Sequence, residues 1–191
     1  MSEAELGRTV LLVARSAIAA RLGLSAPEPA NHATLRQRCA TFVTLRHAGE
    51  LRGCIGSVQA FRPLAEDVRA NAIAAAFHDP RFAPLAAAEL AATAIEVSLL
   101  SASERIAAAH EEELLARIRP GVDGLILECG RRRATLLPQV WEQLADPHEF
   151  LAALKRKAGL SEDFWSAAVS VSRYAVTTWK ERDPVPAGLQ H

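Results

Sequence analysis

The stretch LRGCIG, residues 51–56, brings a thiol, a guanidinium and two glycines close together. On a β-strand, alternate side chains share a face, so Arg52 and Cys54 would point the same way. A fixed cation beside a cysteine favours the nucleophilic thiolate, while Gly53 and Gly56 leave room for a ligand to approach the backbone. The stretch therefore predicts a reactive cysteine or a ligand-binding turn, with ordinary packing of a buried thiol as the alternative.

A second group of ionisable residues follows in FHDPRF, residues 77–82. His78, Asp79 and Arg81 stand in a segment bracketed by two phenylalanines. Aspartate before proline is also a common turn initiator, and Arg81 is well placed to pair with Asp79. By itself this segment favours a structural turn.

Glu96 is a carboxylate inside the apolar run AIEVSLL, residues 94–100. Such a group lies on a solvated face or is held by a partner such as Arg52 or Arg81. Alternation along the strand puts Glu96 and Ser98 on one face. We expect a cleft in which the candidate catalytic residues are Cys54, His78 and Glu96, and the candidate ligand-binding residues are Arg52, Gly53, Gly56, Asp79 and Arg81.

No cofactor or metal site is predicted from the sequence. The six histidines form no H-x-x-x-H pattern, and there is no C-x-x-C, Walker loop or G-x-G-x-x-G. A Ser-His-Asp triad has no G-x-S-x-G motif to place it. The run GRRR, residues 130–133, predicts a basic hairpin tip, and arginines on a solvated turn are usually not specific sites.

Composition indicates an ordinary globular protein. Of 191 residues, 50% are hydrophobic, and 22 basic side chains balance 22 acidic ones, so no global field attracts nucleic acid or a membrane. The start lacks the features of a signal peptide, no run is long enough to span a bilayer, and three scattered cysteines do not suggest disulfides. We expect a cytoplasmic protein with one domain of two lobes over residues 1–182 and a mobile tail over residues 183–191.

The first half of the chain predicts the elements that must position these residues. Ser2 and Glu5 form a capping box ahead of a helix that ends near Gly23. Residues 41–46 and 51–58 read as strands joined by the turn HAGE, and a helix is predicted from Pro63 to Phe77. A further strand is centred on residues 95–100.

The second half of the chain predicts two more helices, a hairpin and a last strand. A short helix in HEEELLARIRPG precedes a hairpin folded at residues 129–132, where Gly130 suits a positive φ. Asp146 predicts the N-cap of a helix that ends at Gly159, and residues 171–181 read as one last strand. Two hairpins imply antiparallel pairing, so the predicted fold class is α+β.

These motifs together resemble a known family. LRGCIG, DPRFAPL, IEVSLL, DGLIL, LLPQV and KAGL occur in the order typical of the AmmeMemoRadiSam system protein A family, which carries the AMMECR domain. The resemblance runs from the first helix to about Glu181. It implies an α+β fold of two lobes on antiparallel sheets flanked by helices, with residues 51–56, Asp79, Arg81 and Glu96 as the suspected site. It also implies two partners, a Memo-like protein and a radical S-adenosylmethionine enzyme.

Three functional hypotheses remain open from the sequence. The first is a component of that system that binds a small anionic ligand, a nucleotide or RNA around LRGCIG. The second is an enzyme with Cys54 as covalent nucleophile and His78 or Glu96 as proton-transfer partner. The third is a non-catalytic interaction scaffold for the two partners.

Overall fold

The computed structural model describes residues 2–27, 29 and 32–182. In chain order, the α-helices are α1, Glu3–Arg21; α2, Leu64–Phe77; α3, Ala87–Leu90; α4, Glu111–Leu115; and α5, Pro147–Lys157. Two 3₁₀ helices span Ala33–Arg36 and Pro138–Glu142. The strands are β1, Arg38–His47; β2, Glu50–Gly56; β3, Arg62–Pro63; β4, Thr93–Leu100; β5, Glu104–Arg105; β6, Gly124–Cys129; β7, Arg132–Leu136; β8, Val169–Tyr174; and β9, Val176–Lys180.

These elements form two compact units, each with its own sheet. The first unit comprises the chain up to Leu100 and again from Thr177, and the second comprises residues 101–176. The first sheet has the strand order β2-β1-β4-β9, with β3 beside β1, and the second has the order β5-β8-β6-β7. The strands pair in antiparallel registers. The predicted α+β fold with two antiparallel sheets flanked by helices is therefore confirmed.

In the first unit, α1 and α2 pack on one face of the sheet. Val43 and Leu45 of β1 and Ile95 and Val97 of β4 are fully buried in this core. Because successive strand residues point to opposite faces, the residues between them look away from the helices. We call this second side the polar face; it carries Thr44, Cys54 and Glu96 in one cross-strand row.

The predicted helix caps at Ser2 and Asp146 are confirmed, whereas Pro63, predicted in the first turn of a helix, is the N-cap of α2. The Ser2 hydroxyl accepts a hydrogen bond from the N–H of Glu5 in a complete capping box at the start of α1. The Asp146 carboxylate accepts from the N–H groups of His148 and Glu149 at the start of α5. Both caps satisfy N–H groups that have no partner inside the helix.

The last strand differs from the prediction. Residues 171–181 were expected to form one strand, but the chain breaks at Ala175 into β8 and β9, which belong to different sheets. The Ala175 N–H and C=O instead bind the hydroxyl and N–H of Ser101. β-Branched and aromatic residues continue across the break, so local propensity does not reveal it.

Two further expectations concern the tail and membrane-spanning segments. The predicted mobile tail, residues 183–191, lies outside the described residues. Within the part that the structure describes, no helix has the length and hydrophobicity required to cross a bilayer.

Replacement of Gly53 tests the packing between β2 and α2. A Cβ atom at Gly53 would lie 2.2 Å from the carbonyl oxygen of Ala75, so Gly53→Ala must push the helix from the sheet. We expect the free energy of unfolding to fall by about 3 kcal/mol in urea denaturation. Gly49→Ala is the control in the same hairpin: its Cβ meets no atom, and only its positive φ of 81° opposes the change, at about 1 kcal/mol. Equal losses in both variants would contradict this account.

Candidate functional site

The LRGCIG motif lies on β2, the edge strand of the first sheet. Its pairing with β1 is interrupted by a β-bulge: Gly53 pairs with Leu45 and Leu51 with Arg46, which leaves Arg52 as the extra residue. A bulge redirects side chains locally. The strict alternation expected for residues 51–58 therefore fails at Arg52.

The redirected Arg52 side chain binds the segment that leads into α3. Its Nε and Nη2 donate to the two carboxylate oxygens of Glu89 at 3.0 and 3.2 Å, and its Nη1 donates to the carbonyl oxygen of Ala83 at 2.9 Å. All three guanidinium nitrogens are thus engaged. Arg52 anchors residues 83–89 against β2, which differs from the role beside the Cys54 thiol that alternation suggested.

Asp79 and Arg81 bind the backbone of Cys54 from the open side of the strand. The Asp79 carboxylate accepts from the Cys54 N–H at 2.9 Å, and Arg81 Nη2 donates to the Cys54 carbonyl oxygen at 3.3 Å. The two side chains also pair with each other, Arg81 Nη2 lying 2.7 Å from Asp79 Oδ2. The expected pairing of Asp79 with Arg81 is present. The two side chains lie where a neighbouring strand would otherwise bind the backbone of Cys54.

The Cys54 thiol lies on the polar face and is partly exposed. The Thr44 hydroxyl, directly opposite on β1, donates to Cys54 Sγ at 3.3 Å. A thiol in this position differs from a cysteine sealed in the core, so its solvent access permits chemistry.

The chain itself fills the space beside both glycines of the motif. A Cβ at Gly53 would meet the backbone of α2, and one at Gly56 would lie 2.3 Å from the Phe42 ring. The small size of these residues is therefore required by packing of the strand against its own neighbours.

The other two candidate residues, His78 and Glu96, make no hydrogen bond to Cys54. His78 is the exposed C-cap of α2, and none of its side-chain atoms has a hydrogen bond to the described residues. Glu96 is opposite Thr44 on the far side from Cys54, so two strand spacings, about 10 Å, separate its Cα from that of Cys54. The structure thus brings Cys54, Asp79 and Arg81 into direct contact and leaves His78 and Glu96 outside that contact.

Comparison with known proteins establishes the family. The AMMECR1 family model matches residues 11–179. The chain belongs to the AMMECR1 family. A relative from Methanothermobacter thermautotrophicus is 39% identical over 181 residues, covering 92% of this chain and 94% of its own. A Methanocaldococcus jannaschii protein is 43% identical over 137 residues, covering 71% of this chain and 68% of its own. The crystal structure of an uncharacterized Pyrococcus horikoshii protein has a TM-score of 0.81 at 35% identity and covers 94% of this chain and 93% of its own.

Sequence reasoning missed two partners of the motif in this AMMECR1 chain. Glu89 lies 37 residues beyond Arg52, and Thr44 lies 10 residues before Cys54. The signal for Thr44 was present, since a hairpin folded at HAGE puts it opposite Cys54. Glu89 follows no such rule, because its contact depends on the path of an irregular segment.

A buried carboxylate at the start of α2 was also missed. Asp67 is completely buried and accepts hydrogen bonds from the N–H and hydroxyl of Thr41, the hydroxyl of Ser57, the guanidinium of Arg62 and the amide of Asn71. These partners satisfy its charge in the interior. The cluster fixes α2 to the hairpin that carries LRGCIG.

Arg81 controls the ionisation of Asp79. Its side-chain hydrogen bonds hold the pKa of the Asp79 carboxyl well below its usual range; burial opposes this shift, and the N–H groups of Cys54 and Arg81 add to it. A carboxyl with a lowered folded-state pKa contributes its stability fully above the unfolded value, here 3.8, and loses it as the pH falls toward the folded value.

Asp79→Asn tests this ion pair. We expect the variant to lose about 2 kcal/mol of unfolding free energy at pH 7, since a buried charged hydrogen bond is removed. The difference from the wild type should shrink as the pH falls below 3.8, because the unfolded wild-type chain then binds a proton at this carboxyl while the folded protein keeps it ionised. Urea unfolding at several pH values measures both effects, with exposed Glu50→Gln as the control. A difference that stays constant down to pH 2 would contradict the prediction.

Proposed function

We propose that this protein is a cytoplasmic component of the AmmeMemoRadiSam system that binds a small anionic ligand at the edge of β2 beside Cys54. The resemblance of its motifs to the system's protein A family supports the setting. In that setting it works with a Memo-like protein and a radical S-adenosylmethionine enzyme.

The observation that carries the ligand proposal is the unused donor on Arg81. Asp79 engages Nε and Nη2, but Nη1 has no hydrogen-bond partner among the described residues. The Arg81 side chain is 53% exposed, and Asp79 holds its plane in a fixed orientation. A guanidinium fixed in this way is suited to carboxylate or phosphate oxygens.

The edge of β2 also offers a backbone N–H donor, that of Gly56. The N–H of Cys54 points outward to Asp79, and groups two residues apart on a strand point to the same side. The N–H of Gly56 therefore also points outward, and no described residue accepts from it. Together with Arg81 it offers two donors to one anionic group.

The balance of charge around the motif favours a small ligand over RNA. Arg52 is paired with Glu89 and Arg81 with Asp79, so each cation has an adjacent carboxylate. Extended nucleic acids depend on several phosphate contacts from free cations. A mononucleotide or a similar small anion needs only one such contact.

Arg81→Lys tests the ligand site. Lysine keeps the charge but lacks the fork, so we expect binding of pyrophosphate, AMP or ATP to weaken roughly tenfold in calorimetric titrations. Exposed Arg69→Lys on α2 is the control and should bind as the wild type does. The proposal fails if none of the three anions binds or if Arg81→Lys binds them equally. Preferential binding of a short RNA would also overturn it.

A second candidate function is covalent catalysis by Cys54. The hydrogen bond from Thr44 to Sγ favours this role, because a donor to sulfur stabilises the thiolate that attacks an electrophile. His78 or Glu96 as proton-transfer partner stays a prediction of this hypothesis.

Alkylation of Cys54 tests the second candidate. We expect iodoacetamide to label Cys54 roughly tenfold faster than N-acetylcysteine at pH 7, and Thr44→Val to slow that labelling. Peptide mass spectrometry separates Cys54 from Cys39 and Cys129. Thr9→Val in α1 is the control and should leave the rate unchanged. Labelling at the rate of the model thiol would exclude an activated nucleophile.

A further inference from the structure

A second polar site lies at the end of the β1–β2 hairpin in the first unit. An open cavity of about 290 Å³ is lined there by residues of β1, β4 and the end of β9, and we call it the charged cavity. Its charged lining residues are Arg46, Glu96, Lys180 and Glu181.

The strand register builds this cavity. Arg46 pairs with Ala94, and Thr44 pairs with Glu96, so Arg46 and Glu96 are diagonal neighbours on the polar face. Ala94, opposite Arg46, has only a methyl side chain, so it leaves space for the cavity. Lys180 reaches the same place because the N–H of Glu181 donates to the Ile95 carbonyl at 2.9 Å, which fixes the end of β9 beside β4.

Three of the four charges have no ion-pair partner within the described residues. Glu96, although half-buried, accepts no hydrogen bond there, and Lys180 donates none. Arg46 makes only a hydrogen bond of 3.3 Å to the carbonyl of Gly49. Glu181, in contrast, is fully engaged by Arg15 and by the N–H of Ile95.

Unpaired charges of both signs around one opening indicate the chemistry of a ligand. A half-buried carboxylate without a partner keeps part of its desolvation cost, which a bound ammonium group would offset. Arg46 and Lys180 in turn supply donors for a carboxylate. The volume lies at the small end of the range for ligand cavities, which favours a small metabolite.

We propose that the charged cavity binds a free α-amino acid, with its ammonium group on Glu96 and its carboxylate on Arg46 and Lys180. The ligand carries both charges, so it pairs all three side chains at once. This site is separate from the anion site at Arg81, because β1 and Thr44 lie between Cys54 and Glu96. Its failure would therefore leave the proposed function untouched.

Titration with ligands that differ in charge tests the proposal. We expect glycine, or a larger member of a panel of α-amino acids, to bind at least roughly tenfold more tightly than acetate or methylammonium, since each of these loses one set of charge-assisted contacts. NMR chemical-shift changes at residues 94–96 report binding at this location. Equal affinity for acetate would mean a simple anion site and would overturn the proposal, as would no response to any amino acid.

Two variants assign the contacts. Glu96→Gln should weaken amino acid binding roughly tenfold and leave acetate binding unchanged, whereas Lys180→Gln should weaken both. Lys180 is exposed, so we expect its replacement to leave the stability of the sheet unchanged. Glu50→Gln, at the exposed end of the same hairpin, is the matched control. Unchanged affinity for the amino acid in both cavity variants would contradict the proposal.

Discussion

The hydrogen bond from the Cys54 N–H to the Asp79 carboxylate is the constraint on which the motif depends. An edge strand exposes backbone donors and acceptors that need partners. Asp79 supplies the acceptor and Arg81 the donor, so two side chains replace a neighbouring strand at this one residue. The same contacts fix the chain after α2 to the sheet, and they block the middle of an edge that would otherwise invite pairing with another chain.

Carboxylates at both ends of α2 hold the hairpin. Asp67, in the first turn, binds the N–H of Thr41 on β1, and Asp79, just after the last turn, binds the N–H of Cys54 on β2. Between these ends the helix touches the strand closely enough that only glycine fits at position 53. The motif therefore fixes α2 to the sheet and leaves the Cys54 thiol on the opposite, polar face.

Local patterns predicted the elements but not the contacts that break a pattern. Caps at Ser2 and Asp146 follow from interactions within a few residues, and alternation put Glu96 on the face where the structure has it. The bulge at Arg52 was invisible, because one extra residue in a strand changes no composition and no propensity. The pairing of Arg52 with Glu89 depends on that bulge, so it could not be derived from the sequence either.

The bulge also changes the electrostatic argument for the thiol. Had Arg52 stood beside Cys54 as a free cation, its net charge would favour a thiolate strongly. Instead Arg52 is bound to Glu89, and the cation that reaches Cys54 is Arg81, which Asp79 already neutralises. Two ion pairs near a thiol give little net field at a distance, while the hydrogen-bond donors they hold in place keep their direction. The arrangement therefore favours the proposed recognition of a small anion over charge-based activation of the thiol, and the proposed nucleophile would depend on the nearby hydroxyl of Thr44.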